Sequence, residues 1–107
     1  MDKKIEPILK EIKIGLEKIY GERLKWAFLY GSYARGEAEV GSDIDIAIIL
    51  NNFDDAWEEI ESTGELVSSL SLKYGVVLCL LPLREKDFLQ RSSPLIMNVR
   101  REGISLR

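Results

Sequence analysis

At 107 residues, 46% of them hydrophobic, the chain is long enough for one folded domain, residues 1–107, and too short for two comfortable ones. Its formal net charge of −3 lacks the basic excess of a protein that tracks a nucleic-acid backbone, so long DNA or RNA is not the expected partner. Histidine is absent, which excludes Ser-His or Cys-His catalysis and His-ligated metal from this chain, and the single Cys79 excludes an internal disulfide. No apolar run approaches the roughly 20 residues of a membrane span. The start, Met1-Asp2-Lys3-Lys4, leads into an amphipathic pattern rather than a signal-peptide core. With the lone cysteine, this gives the expectation of a cytoplasmic protein without a membrane partner.

Ile5, Ile8, Leu9, Ile12, Leu16 and Ile19 recur at helical spacing and predict a helix over residues 3–20, ended by Gly21. Leu24 to Tyr30 reads as a strand. Ser32 is placed to cap a short helix running to Glu37. Asp43 to Leu50 reads as a second strand, and Asn51 to Asp54 as a loop and helix start. Trp57, Ile60, Val67, Leu70 and Tyr74 give the next helical face, which Gly75 breaks. Val76 to Leu83 is an almost wholly apolar strand, expected to be central or covered. Arg84 to Leu89 reads as one helical turn, Pro94 to Arg101 as a short helix, and Ile104 to Leu106 as an edge strand. Helices alternating with strands predict an α/β (α+β) domain, a sheet flanked by helices.

The chemistry concentrates in one pattern. Gly31-Ser32 is followed, after ten intervening residues, by Asp43-Ile44-Asp45. Alternation along a strand puts Asp43 and Asp45 on one face, about 6.5–7 Å apart by strand rise, and turns Ile44, Ile46 and Ile48 to the other. Two adjacent carboxylates repel, and burial raises their pKa values unless a cation neutralises them. Mg²⁺, which pairs one or two carboxylates with substrate phosphates, is the natural partner. Gly31 and the backbone N–H groups after it offer a phosphate site. Together these suggest metal-assisted transfer of a nucleotidyl group, with Asp43 and Asp45 as metal-binding catalytic residues and the turn at Gly31 as the phosphate site.

Each residue also has a structural reading. Gly31 suits a tight turn with positive φ. Asp43 could cap a turn and Asp45 could be a buried hydrogen-bonded acid, although two aspartates on an apolar strand are costly to bury for structure alone. Arg35 pairs either with substrate phosphate or, the favoured reading, with Glu37 or Glu39. Gly36 and Gly41 are turn residues. Trp26 and Trp57 read as core, Cys79 as inert packing in its apolar run. Tyr33 divides evenly between core and site. Arg84, Lys86, Arg91, Arg100 and Arg101 read as a solvated surface, with partner docking as the alternative.

The stretch Gly31-Ser32-Tyr33-Ala34-Arg35-Gly36, then Gly41-Ser42-Asp43-Ile44-Asp45, resembles the polymerase-β-like nucleotidyltransferase superfamily, and within it the minimal nucleotidyltransferases of archaea and bacteria. The resemblance implies that superfamily's mixed-sheet fold. It also implies ATP or another nucleoside triphosphate as substrate, with the Ser32 hydroxyl on its phosphates. Active members add a third carboxylate on the next core strand; here Leu78 or Cys79 stands in its place. The segment from Ser93-Pro94-Leu95 to Asn98-Val99-Arg100-Arg101-Glu102-Gly103-Ile104 resembles the tail of minimal nucleotidyltransferases that neutralise a small helical HEPN toxin. Two functions follow from the resemblance: an antitoxin that transfers AMP to a hydroxyl of its HEPN partner, or an inactive nucleotide-binding antitoxin that acts by binding it. A stand-alone small-molecule nucleotidyltransferase is less favoured, because a substrate-recognition domain is missing. Homo- and hetero-oligomers both remain open.

Overall fold

In the computed structural model, which describes residues 3–106, four strands form one mixed sheet. Helix α1 is Glu6–Tyr20, followed by a 3-10 turn at Gly21–Arg23 and strand β1, Leu24–Tyr30. Helix α2 is Ser32–Arg35, β2 is Ile44–Leu50, α3 is Ala56–Tyr74 and β3 is Leu78–Arg84. Helices α4 (Glu85–Gln90) and α5 (Pro94–Glu102) lead to β4 (Ile104–Ser105). The strand order is β3-β2-β1-β4. β1 is antiparallel to both β2 and β4, whereas β2 and β3 are parallel. A parallel pair needs a crossover, and α3 supplies it.

The two faces of the sheet carry separate cores. Ile44, Ile46, Ile48 and Leu50 of β2 join Ile8, Leu9, Ile12 and Leu16 of α1 and Leu70 of α3 on one face. Ala47 and Ile49 point the other way, to Phe88 of α4 and to Ile96 and Val99 of α5. Phe88 sets its ring against Trp26 at 5.8 Å and Phe28 at 5.6 Å between centroids. A bulge between Leu24 and Trp26 shifts the register of β1 on β2. It lets Leu24 share the first core with Ala27 and Leu29 despite an odd spacing. Gly15 brings α3 close to α1: a Cβ there would lie 2.5 Å from Leu66 Cδ1. On the surface of the same pair of helices, Lys73 bridges to Glu11 at 3.0 Å and the Tyr74 hydroxyl donates to the same carboxylate.

The structure corrects four expectations. β3 is an edge strand, not a central one. Its alternate side chains are only partly covered, and Cys79 is exposed rather than packed. Pro82 suits that edge: Ile44 donates to the Val77 carbonyl, so alternation turns Pro82 and its missing N–H toward the open side. Trp57 sits in the first turn of α3 and is 72% exposed, and Ile60 is exposed as well; Leu70 is buried and Val67 and Tyr74 pack on the core as expected, joined by buried Glu59 and Thr63. In α1, the last buried position is Tyr20, and Ile19 is exposed. Trp26 does join the core, against Phe88.

Truncating Ile46, which is fully buried, to alanine should cost about 2–5 kcal/mol. The Trp57→Ala change should stay within about 0.5 kcal/mol. Urea unfolding of both variants checks the contrast.

Candidate active site

The site forms at the end of the β1–β2 ladder. β1 finishes at Tyr30, whose ladder partner is Asp45, the second residue of β2. Antiparallel pairing therefore closes the intervening loop and sets Gly31 beside Asp45. Gly31 has φ 78 and ψ −156, a conformation that side chains resist. A Cβ at Gly31 would stand 2.5 Å from Asp45 Oδ2. Turn geometry and close approach both demand glycine here.

Gly31, not Ser32, is the N-cap of α2. The Gly31 carbonyl accepts from the Arg35 N–H at 3.1 Å, and no side chain caps the helix. Ser32 is thus the first helical residue rather than the cap, and its hydroxyl carries no capping bond. The helix stops at Arg35 rather than Glu37 because Gly36 turns left-handed, with φ 73. A second turn then aims Asp43. Glu39 donates its N–H to Ser42 Oγ at 2.8 Å, and Ser42 returns its N–H to the Glu39 carbonyl at 3.0 Å. Ser42 escaped the sequence reading; its only signal was a hydroxyl residue after Gly41 and before Asp43.

Asp43 lies just before β2, which begins at Ile44 rather than at Asp43. The two aspartates still meet electrostatically. Burial first, and Asp43 second, push the Asp45 carboxyl above its ordinary range, while Arg35 pulls it down. Tyr30, Asp45 and Cys79 are successive ladder partners and form a row across three strands on one face. Burial, then Asp45 and Cys79, push the Tyr30 hydroxyl up to about 12. Burial, then Asp43 and Asp45, raise the Cys79 thiol. Leu78 points the opposite way, into the first core. Of the two candidates for the place of a third acid, Cys79 is therefore the one beside Asp45.

Arg35 borders the site through its ion pairs. It bridges to Glu37 at 2.8 Å, the favoured structural reading, and also to Glu102 at 3.1 Å. These partners, Glu37 first, raise its pKa further. Glu102 Oε1 also accepts the Gly31 N–H at 3.1 Å. Glu102 had no assigned part in the sequence, because nothing local marks a contact made across 71 positions. The described residues contain no group of three or more His, Cys, Asp or Glu placed to hold a metal. A carboxylate whose charge a neighbouring acid disfavours, as Asp43 does for Asp45, does fit a divalent cation when a ligand brings further oxygens. Among the described residues no helix is long and apolar enough to cross a membrane.

Comparison with known proteins agrees with this architecture. The family model described as polymerase beta, nucleotidyltransferase matches residues 3–106. The chain belongs to that nucleotidyltransferase family. It is 38% identical over 73 residues, 68% of this chain and 67% of the relative, to "Putative protein adenylyltransferase MJ0604" of Methanocaldococcus jannaschii. A second protein of that organism with the same description, MJ0141, is 32% identical over 71 residues, 66% of this chain and 71% of its own. Among solved structures, a toxin–antitoxin crystal structure with AMP-PNP superposes with a TM-score of 0.69 at 24% identity, over 92% of this chain and 72% of that one. A tri-AMPylated Shewanella oneidensis HEPN toxin in complex with MNT antitoxin gives a TM-score of 0.59 at 25% identity, over 94% and 71%.

The raised Asp45 carboxyl predicts how the metal-free protein responds to pH. A folded-state pKa above the unfolded value means that this group stabilises the fold fully at low pH and loses that contribution as pH rises through the folded pKa. At neutral pH the charge is a burden, so Asp45→Asn should melt higher than wild type in EDTA at pH 7. The gap should close as pH falls toward 4. Melting curves from pH 4 to 8 test it; a variant that melts lower at pH 7 would make Asp45 a structural acid.

Proposed function

We propose that this protein is a Mg²⁺-dependent nucleotidyltransferase that moves AMP from ATP to a hydroxyl of a partner protein, a small helical HEPN toxin, and so acts as its antitoxin. The observation that carries the reading is Asp45 beside Asp43, held against the side-chain-free Gly31 at the end of the β1–β2 ladder. The names of the M. jannaschii relatives and of the Shewanella oneidensis complex support the adenylyl donor and the partner.

Asp43 and Asp45 would hold the metal, which, when bound, offsets their charge and polarises the phosphates. Gly31 would donate its N–H to a phosphate oxygen, and the Ser32 hydroxyl would donate to another. Ser32 does not act as a nucleophile, since the chain has no histidine to serve as its base. In the transfer, the acceptor oxygen bonds to the α-phosphorus, the bond to the β-phosphate oxygen breaks, and pyrophosphate leaves. The acceptor proton passes to solvent, because no carboxylate stands on β3 to receive it. A thiol whose pKa is raised is a poor base, so general-base help, worth roughly 10²–10⁴-fold, is missing. Cys79 at that position therefore favours a second reading, a nucleotide-binding antitoxin that acts mainly by occupying its partner.

Incubation with labelled ATP, Mg²⁺ and the HEPN protein of a neighbouring reading frame separates the two. Label should pass to the partner from wild type and not from the Asp43→Asn, Asp45→Asn double variant. Tight binding without transfer would leave the binder as the function.

The geometry also decides where an added acid should work. Cys79→Asp places a carboxylate in the row with Asp45 and should raise transfer by roughly tenfold or more. Leu78→Asp faces the first core and should cost about 3–5 kcal/mol as an unpaired buried charge. Turnover and melting temperature of both variants, with and without Mg²⁺, read the outcome.

A further inference from the structure

Glu102 has no part in the reading above, yet its carboxylate sits on the candidate phosphate cradle. It occupies the last position of α5, where a negative charge faces the helix's own unpaired carbonyls. Helix electrostatics disfavour an acid there, so helix stability does not account for it. Its partners do. Oε1 accepts the Gly31 N–H at 3.1 Å and Arg35 Nη1 at 3.1 Å, and Oε2 lies 3.4 Å from the same nitrogen. The side chain is only 18% exposed. A backbone N–H and a guanidinium converging on one anion is also how phosphate oxygens are held. The Gly31 N–H has one hydrogen, and a phosphate that takes it must displace the carboxylate.

We infer that Glu102 is an internal competitor for a di- or triphosphate, holding the cradle until substrate arrives. The inference rests on the phosphate-binding reading of Gly31. In the free protein Glu102 satisfies the Gly31 N–H and pairs with Arg35. When the phosphate enters, Glu102 swings out and Arg35 exchanges a carboxylate for a phosphate, while Glu37, 2.8 Å away, stays its partner. Arg35 thereby changes from a structural ion pair in the free protein to a phosphate ligand in the complex. Apparent affinity is lowered by the fraction of molecules in which Glu102 is seated.

Calorimetry on the full chain, with Mg²⁺ and either inorganic tripolyphosphate or ATP, tests this. Glu102→Gln keeps an oxygen for Gly31 but removes the charge, and should tighten both ligands at least about fivefold. The gain should vanish when Arg35→Gln is added, because the freed guanidinium is what the phosphate acquires. If wild type binds and Glu102→Gln binds equally or more weakly, Glu102 is a brace for Gly31 and the inference is overturned. If neither protein binds either ligand, the nucleotide reading itself falls and takes the inference with it. Circular dichroism checks that the variants fold. Should Glu102→Gln not fold, Glu102→Asp, one methylene too short to keep both contacts, must tighten binding in its place, and equal or weaker affinity there overturns the inference.

Discussion

The mouth of this protein depends on one close approach, that of Gly31 to Asp45. The last pair of the β1–β2 ladder brings them together, and the missing side chain lets the Asp45 carboxylate fill the space where a Cβ would be. From that contact the rest of the site follows in both directions along the chain. Forward from Gly31, the positive φ turns the backbone straight into α2, which delivers Ser32 and Arg35. Backward from Asp45, the Gly41-Ser42 turn delivers Asp43. Two short local turns and one ladder pair thus assemble residues that lie up to fourteen positions apart.

The sheet gives this arrangement a rigid base. β2 is buried on both faces from Ile46 onward, and only its first residues escape the cover of α4 and α5. Asp45 sits at that boundary. It is buried enough for its charge to be disfavoured and open enough to meet a ligand. A deeper position would demand a permanent partner, and a fully solvated one would leave the two acids too well screened to favour a cation.

Sequence periodicity revealed most of the scaffold. The three- and four-residue spacing of Ile5, Ile8, Leu9, Ile12 and Leu16 marked α1, and the alternation of Ile44, Ile46 and Ile48 told which way Asp45 points. Positions whose burial depends on a neighbour in space were less legible. An apolar run such as Leu78 to Leu83 reads the same whether or not a strand lies on its outer side, so β3 was expected to be central or covered. Trp57 follows the helical period closely enough to look like core, but it lies in the first turn of α3 with its side chain exposed. The Ser32 cap failed because the turn at Gly31 puts the glycine in the N-cap position and Ser32 one residue inside the helix. Glu102 was invisible for a different reason: its partners are brought to it only by the pairing of β4 with β1, a contact with no local signature.

The proline on the outer strand bears on how the molecule behaves in a crowd. An open sheet edge is a template on which other chains can add, and seven residues of β3 would suffice for one. Pro82 removes a donor from the middle of that template, and the charged Arg84 closes its end. A stranger's strand could engage only the first few residues before it met a gap, so runaway polymerisation through this edge is blocked by a single ring.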